Sequence, residues 1–282
     1  MSGNDPIADA CLLAYDALNG TEQSNGGPAI ICRFGSCHSV AKARSCKDPD
    51  VTAEKPREAI FDALNMVGEA IAGQGFSFIP SGPKFSRRSG DFTFAIHIQS
   101  DRNNVACQRA AIWVHIGVYS KSLTAWSKKH PSDWIRPKSS FPEPVLGNQL
   151  GYLCDPSVWA EWDFADSAKR FSAAANLIAS LRQGAFPLFA AFEGSPEDIT
   201  TVAHKSLRRP EGVLSYLLSI GRETLAIELL QAYLDEQPMV RRGFKRYFRH
   251  FLEHGLPAYG AAENAEGLAA FAVATGLALD GS

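Results

Sequence analysis

Two neighbouring stretches, residues 91–100 (DFTFAIHIQS) and 110–119 (AAIWVHIGVY), constrain the fold more than anything else in the chain. Side chains alternate across a strand with period two. The first stretch therefore sets Phe92, Phe94, Ile96 and Ile98 on one face and Thr93, Ala95, His97 and Gln99 on the other. The second sets Ile112, Val114, Ile116 and Val118 against Trp113, His115, Gly117 and Tyr119. β-Branched and aromatic residues suit a pleated, half-buried surface. The intervening DRNNVACQR is polar and turn-rich around Asn103-Asn104, which predicts a hairpin. Eight large apolar side chains then share one face. At roughly 1.5–3 kcal/mol each when fully buried, they supply over ten kcal/mol before conformational entropy is subtracted. The opposite face gathers His97, Gln99, Trp113, His115 and Tyr119, and it is the first candidate binding face.

The flanking chain reads as helices and turns. Ile60, Phe61, Leu64, Val67 and Ile71 recur at helical spacing, Pro56 suits the first turn, and Gly73 and Gly75 end the run. Residues 76–79 read as a short strand and PSGP as a turn, with residues 84–88 leading into the first central strand. After Tyr119 comes a loose, proline-rich stretch with Trp126 and Trp134. Residues 150–153 read as a strand and 159–163 as an edge strand. Asp166 is placed to cap a helix with Phe171, Ala174, Leu177, Ile178 and Leu181 on its buried stripe, stopped by Gly184 and followed by a short helix over 186–192.

Residues 196–282 predict helices over 199–205, 212–219, 223–234, 240–254 and 265–279, broken by Pro and Gly. Two segments in this region begin alike, at Arg208-Arg209 and at Arg241-Arg242, which is read as paired helical hairpins. Residues 1–50 carry a possible short helix at 8–18 and otherwise lack periodicity. Residues 51–64 (VTAEKPREAIFDAL) open a helix cleanly enough that a true start near Val51 is expected. The expected fold class is α+β: an antiparallel-rich sheet flanked by helices over 51–195, then an all-helical domain over 196–282, preceded by a flexible extension at 1–50.

Several segments resemble the DUF4304 family over about residues 54–194. They are Gly75-Phe76, Phe85-Ser86-Arg87, Ile98-Gln99-Ser100 and His115-Ile116-Gly117-Val118-Tyr119, followed by LGYLCD and VWAEWDF. The family's usual Asn is His115 here. The resemblance implies an α+β fold and no activity, because the family is functionally uncharacterised.

The chemical motifs are few. His250-x-x-Glu253-His254 matches the inverted zincin order, with two imidazoles one helical turn apart, but Gly255 and Pro257 follow at once. Cys32, Cys37, His38 and Cys46 offer metal-binding side chains without the Cys-x2-Cys knuckle. Gly73-x-Gly75 follows a helix rather than a strand, so it is no dinucleotide loop. No cofactor, no metal and no assigned catalytic residue are therefore expected. Arg241, Arg242, Lys245, Arg246 and Arg249 alternate with Phe244, Tyr247, Phe248 and Phe251, which reads as a solvated basic face over a buried aromatic one. A formal net charge of −2 argues against nucleic acid as the partner.

No apolar run is long enough to span a membrane, and six cysteines are too sparse for a disulfide scaffold, so a cytoplasmic protein with reduced thiols is expected. Trp126, Trp134, Trp159 and Trp162 form the candidate interface. The leading expectation is a non-catalytic protein-binding or regulatory module, of toxin-immunity type. The alternative is a hydrolase using His97 and His115 or the 250–254 string.

Overall fold

The computed structural model describes residues 53–130, 144–206, 210–256 and 264–277, without the side chains of 202–206. The expected 1–50 extension with its cysteines, the expected helix at 8–18, and Trp134 lie outside the described residues.

The central feature is an antiparallel sheet. β1 (Ser77–Ile79), β2 (Lys84–Ser89), β3 (Phe92–Ser100), β4 (Ala111–Ser120) and β5 (Leu146–Gln149) lie side by side in that order, and β6 (Trp162–Asp163) also pairs with β4. β3 and β4 form the expected hairpin, running from Phe92 opposite Ser120 to Ser100 opposite Ile112. This register sets Ile96 against Ile116 and His97 against His115. All eight side chains of the predicted apolar face are buried.

Helices cover that face. α1 (Pro56–Ile71) presents Ile60, Leu64, Val67 and Ile71 to the core. After β4 come α2 (Lys121–Ser127), a 3-10 turn at Leu150–Leu153, and α3 (Arg170–Ser180). A π-helical turn at Leu181–Ala185 then joins α3 to α4 (Phe186–Glu193). Phe189 of α4 lies 4.8 Å from Phe94 and 5.7 Å from Phe76, ring centre to ring centre. Arg87 on the core side of β2 caps this aromatic stack, 4.9 Å from the Phe94 ring and ion-paired to Glu193 at 3.0 Å. Such an arrangement pairs the head of the cation while its stem covers apolar surface, although the buried Arg87 Nε has no hydrogen-bond partner among the described residues.

The C-terminal helices are α5 (Pro196–Ser206), α6 (Glu211–Ser219), α7 (Glu223–Glu236), α8 (Pro238–His254) and α9 (Asn264–Thr275). They share a continuous hydrophobic core with the sheet, joined where Phe92 meets Phe192 at 5.4 Å and Tyr216 of α6 at 5.1 Å. The α+β fold class is thus as the sequence predicts. No helix among the described residues is long and apolar enough to cross a membrane.

Local expectations are corrected at several points: Lys169 rather than Asp166 is the N-cap of α3, and the edge strand expected over 159–163 is only Trp162–Asp163. Residues 84–89 are a full strand rather than a lead-in, because Lys84 through Ser89 pair with His97 back to Phe92. The strand expected at 150–153 is a 3-10 turn, and the preceding residues 146–149 pair with β4 instead. Phe171 is 75% exposed and does not join the helix stripe. The buried stripe is Arg170, Ala174, Leu177 and Leu181, and the Arg170 guanidinium donates to Phe164 O and pairs with Glu54 at 2.6 Å and Asp62 at 3.2 Å. Finally, Gly184 does not stop the helix, since the chain passes through the π turn into α4 without a break.

The two-faced hairpin leads to a direct test. Ile96→Ala and Ile116→Ala are each expected to cost about 2–5 kcal/mol in urea unfolding, the range for truncating a buried Ile. Arg88→Ala, at an exposed position of β2, is expected to stay within about 0.5 kcal/mol. Equal losses for all three variants contradict the assigned faces.

Candidate functional site

The second face of the sheet brings together all five residues of the candidate binding face. His97 and Gln99 come from β3, and Trp113, His115 and Tyr119 from β4; each is half-buried. The Tyr119 ring lies flat over Gly117, where an added Cβ would stand 2.8 Å from its Cε2. That close approach carries the Tyr119 hydroxyl to 3.1 Å from His97 Nε2.

The segment after the 3-10 turn folds back over this face. Gly151 permits it, because a side chain there would overlap the Val158 carbonyl oxygen. Gln149, fully buried opposite His115, fastens the return: its Oε1 accepts from Gly151 N–H at 2.7 Å, and its amide donates to Ala160 O. Trp159 is thereby laid edge-to-face on Trp113 at 5.6 Å, on Tyr152 at 6.0 Å and on His115 at 6.1 Å. Trp159 is still 41% exposed and its neighbour Val158 54%.

A polar rim closes one end. Arg109 bridges Asp101 at 2.8 Å and Glu161 at 2.7 Å, and Glu161 also accepts from the Trp113 indole N–H at 3.1 Å. Asp101 sits below its usual carboxylate range, held there first by the Asn103 backbone N–H and then by Arg109, against the opposing effect of burial. Bonding to Asp101 in turn raises Arg109.

Other candidates fall elsewhere. Trp162 is a correction to the expected interface. It faces the core, buried, with its indole N–H donating to Asn176 Oδ1 at 3.1 Å. Trp126 stacks on His130 at 4.3 Å in and just after α2, which follows the far end of β4 from Trp113. His250 and His254 stack at 4.5 Å on the exposed end of α8, and Glu253 lies 3.9 Å from His254. No third ligand joins them: among the described residues, no group of three or more His, Cys, Asp or Glu is placed to hold a metal ion.

Sequence reasoning missed Arg109, Gln149, Tyr152, Val158 and Glu161. One signal was available for two of the residues at 159–163. Period two sets Trp159 and Glu161 on one side and Trp162 on the other, so the two tryptophans of WAEWD never shared a surface.

Burial dominates the electrostatics of the paired imidazoles. Desolvation pushes His97 down to about 4, with help from Lys84 across the strand pair. Desolvation, and then the charge of His97, pushes His115 down to about 4. Both rings are therefore neutral at pH 7. Comparison with protein-family models, curated proteins and solved structures returns no match.

The lowered values fix a pH dependence and its sign. Each His protonates near 6.5 in the unfolded chain and near 4 in the folded one. Between those values the unfolded state binds more protons, so stability falls as pH falls from about 6.5 toward 4. For partly exposed rings this amounts to about 1–2 kcal/mol per His between pH 6.5 and 4.5. His97→Gln is expected to flatten the melting temperature between those pH values. An acid dependence identical to that of the unsubstituted chain contradicts the desolvated placement.

Proposed function

We propose that this chain is a cytoplasmic, non-catalytic binding module whose partner-facing surface is the aromatic second face of the sheet, centred on Trp159. The observation that carries this reading is the exposure of Trp159 and Val158 on top of a preorganised Trp113–Tyr152–His115 platform. Protein interfaces take their binding energy from a few Trp, Tyr and Arg side chains inside a polar rim. Here the rim is Arg109 with Asp101 and Glu161. A toxin-immunity role is one form of this proposal, with a toxin protein as the partner. DUF4304 membership is part of the same proposal and rests on the motifs quoted above.

The hydrolase alternative is less well supported. An efficient general base has a pKa near the working pH, and imidazoles pushed down to about 4 are weak bases at neutral pH. His97 is bonded to a phenol hydroxyl rather than to an orienting carboxylate.

Affinity capture with the immobilised full chain tests the proposal. Wild type is expected to retain a partner from its own cell lysate in fixed stoichiometry. Val158→Asp with Trp159→Ser is expected to weaken that retention about 30-fold, as losing one hot-spot residue does, while the chain keeps its folded circular-dichroism spectrum. Unaltered retention by the folded variant overturns the assignment of this face. Ester or phosphoester turnover abolished by His97→Gln favours the hydrolase.

A further inference from the structure

Helix α8 has two sharply different sides. Phe244, Phe248 and Phe251 are buried in the shared core. Arg242, Lys245, Arg246 and Arg249 are exposed on the opposite side. Positions 242, 246 and 249 follow the i, i+4, i+7 spacing, so their side chains form one stripe about 10 Å long. Arg241 lies at the margin of that stripe and is already paired with Asp235 at 2.7 Å. Arg242, Arg246 and Arg249 enter no ion pair among the described residues, and Arg246 rests over the Tyr247 ring at 4.5 Å. The helix holds one carboxylate, Glu253, in its last turn.

We infer that this stripe docks a short acidic segment of a partner protein. All three of its cations are Arg, whose planar fork matches carboxylates two bonds at a time. The length of the stripe suits three or four successive acidic side chains. Charge elsewhere on the chain argues against a longer polyanion. Five of the 28 Lys and Arg lie on this helix, and the remaining 23 face 29 of the 30 carboxylates. An extended nucleic acid therefore gains no net attraction from the rest of the chain, which carries six more carboxylates than Lys and Arg (29 against 23). A membrane surface is the weaker fit, because Phe244, Phe248 and Phe251 are used by the core and only Met239 and Leu252 of this helix stand exposed as large apolar side chains.

Fluorescence anisotropy with the full chain tests this at low and moderate salt. The probes are a labelled ten-residue Glu/Asp peptide, a ten-residue Ser/Gly peptide, a ten-nucleotide single-stranded DNA, and phosphatidylserine vesicles. The acidic peptide is expected to bind, to weaken as salt rises, and to lose about tenfold or more in affinity in Arg242→Gln/Arg246→Gln/Arg249→Gln. Trp159→Ser is expected to leave it unchanged, so that failure of this inference is distinct from failure of the sheet-face proposal. If the triple variant misfolds, Arg246→Gln alone is expected to show a smaller loss with a shallower salt slope. Absence of peptide binding, binding indifferent to the arginines, or tighter binding to the DNA or the vesicles overturns the inference.

Discussion

The pairing of β3 with β4 in a single register governs this molecule. It sends Phe92, Phe94, Ile96 and Ile98, with Ile112, Val114, Ile116 and Val118, into the core, and it sends His97, His115, Trp113 and Tyr119 the other way. A slip of one residue exchanges the two sets, burying imidazoles in the helical layer and exposing the aliphatic side chains. The large apolar burial on one side is therefore what holds the polar and aromatic constellation in place on the other. The constellation needs no stabilising chemistry of its own to be positioned.

That division explains the electrostatic character of the second face. Two imidazoles directly opposite each other on neighbouring strands, with Lys84 alongside, are costly to charge. The folded chain keeps both neutral by desolvation. Neutral rings then serve as flat, weakly polar surface for Trp159 and as a hydrogen-bond partner for Tyr119. Charge is confined to the rim, where Arg109 lies between two carboxylates. An apolar, aromatic centre inside a charged edge suits recognition better than proton transfer.

Alternation over ten residues is a strong local signal, and it placed the eight buried side chains and the five of the candidate face. Features set by distant residues were not legible. Arg170 occupies the core stripe in place of its neighbour Phe171 because Glu54 and Asp62, more than a hundred positions away, meet its guanidinium. Residues 146–149 are a strand because β4 offers them an edge, not because Gly147 and Asn148 favour extended backbone. Trp159 reaches the surface of the second face through the return held by Gln149 and Gly151, a contact no single stretch of sequence displays.

The π turn between α3 and α4 has a consequence for how this chain tolerates changes in its length. Phe186 N–H reaches back five residues to Leu181 O, so the turn holds one more residue than an α-helical turn does. Its wider path also precedes Pro187, which has no N–H to offer the preceding turn. Shortening the chain by one residue here returns the segment to ordinary helical winding and leaves α3 and α4 in phase, with Phe189 still directed at Phe94. The same shortening inside α4 turns its aromatic residues about 100° away from the sheet. At Gly184 an added Cβ would stand 3.0 Å from the Leu153 Cβ and carbonyl oxygen, so the bare glycine lets the bulge lie close against the turn that leads to Trp159. The junction is thus a stretch of this helical pair where loss of one residue leaves the phase of the helices on either side unchanged.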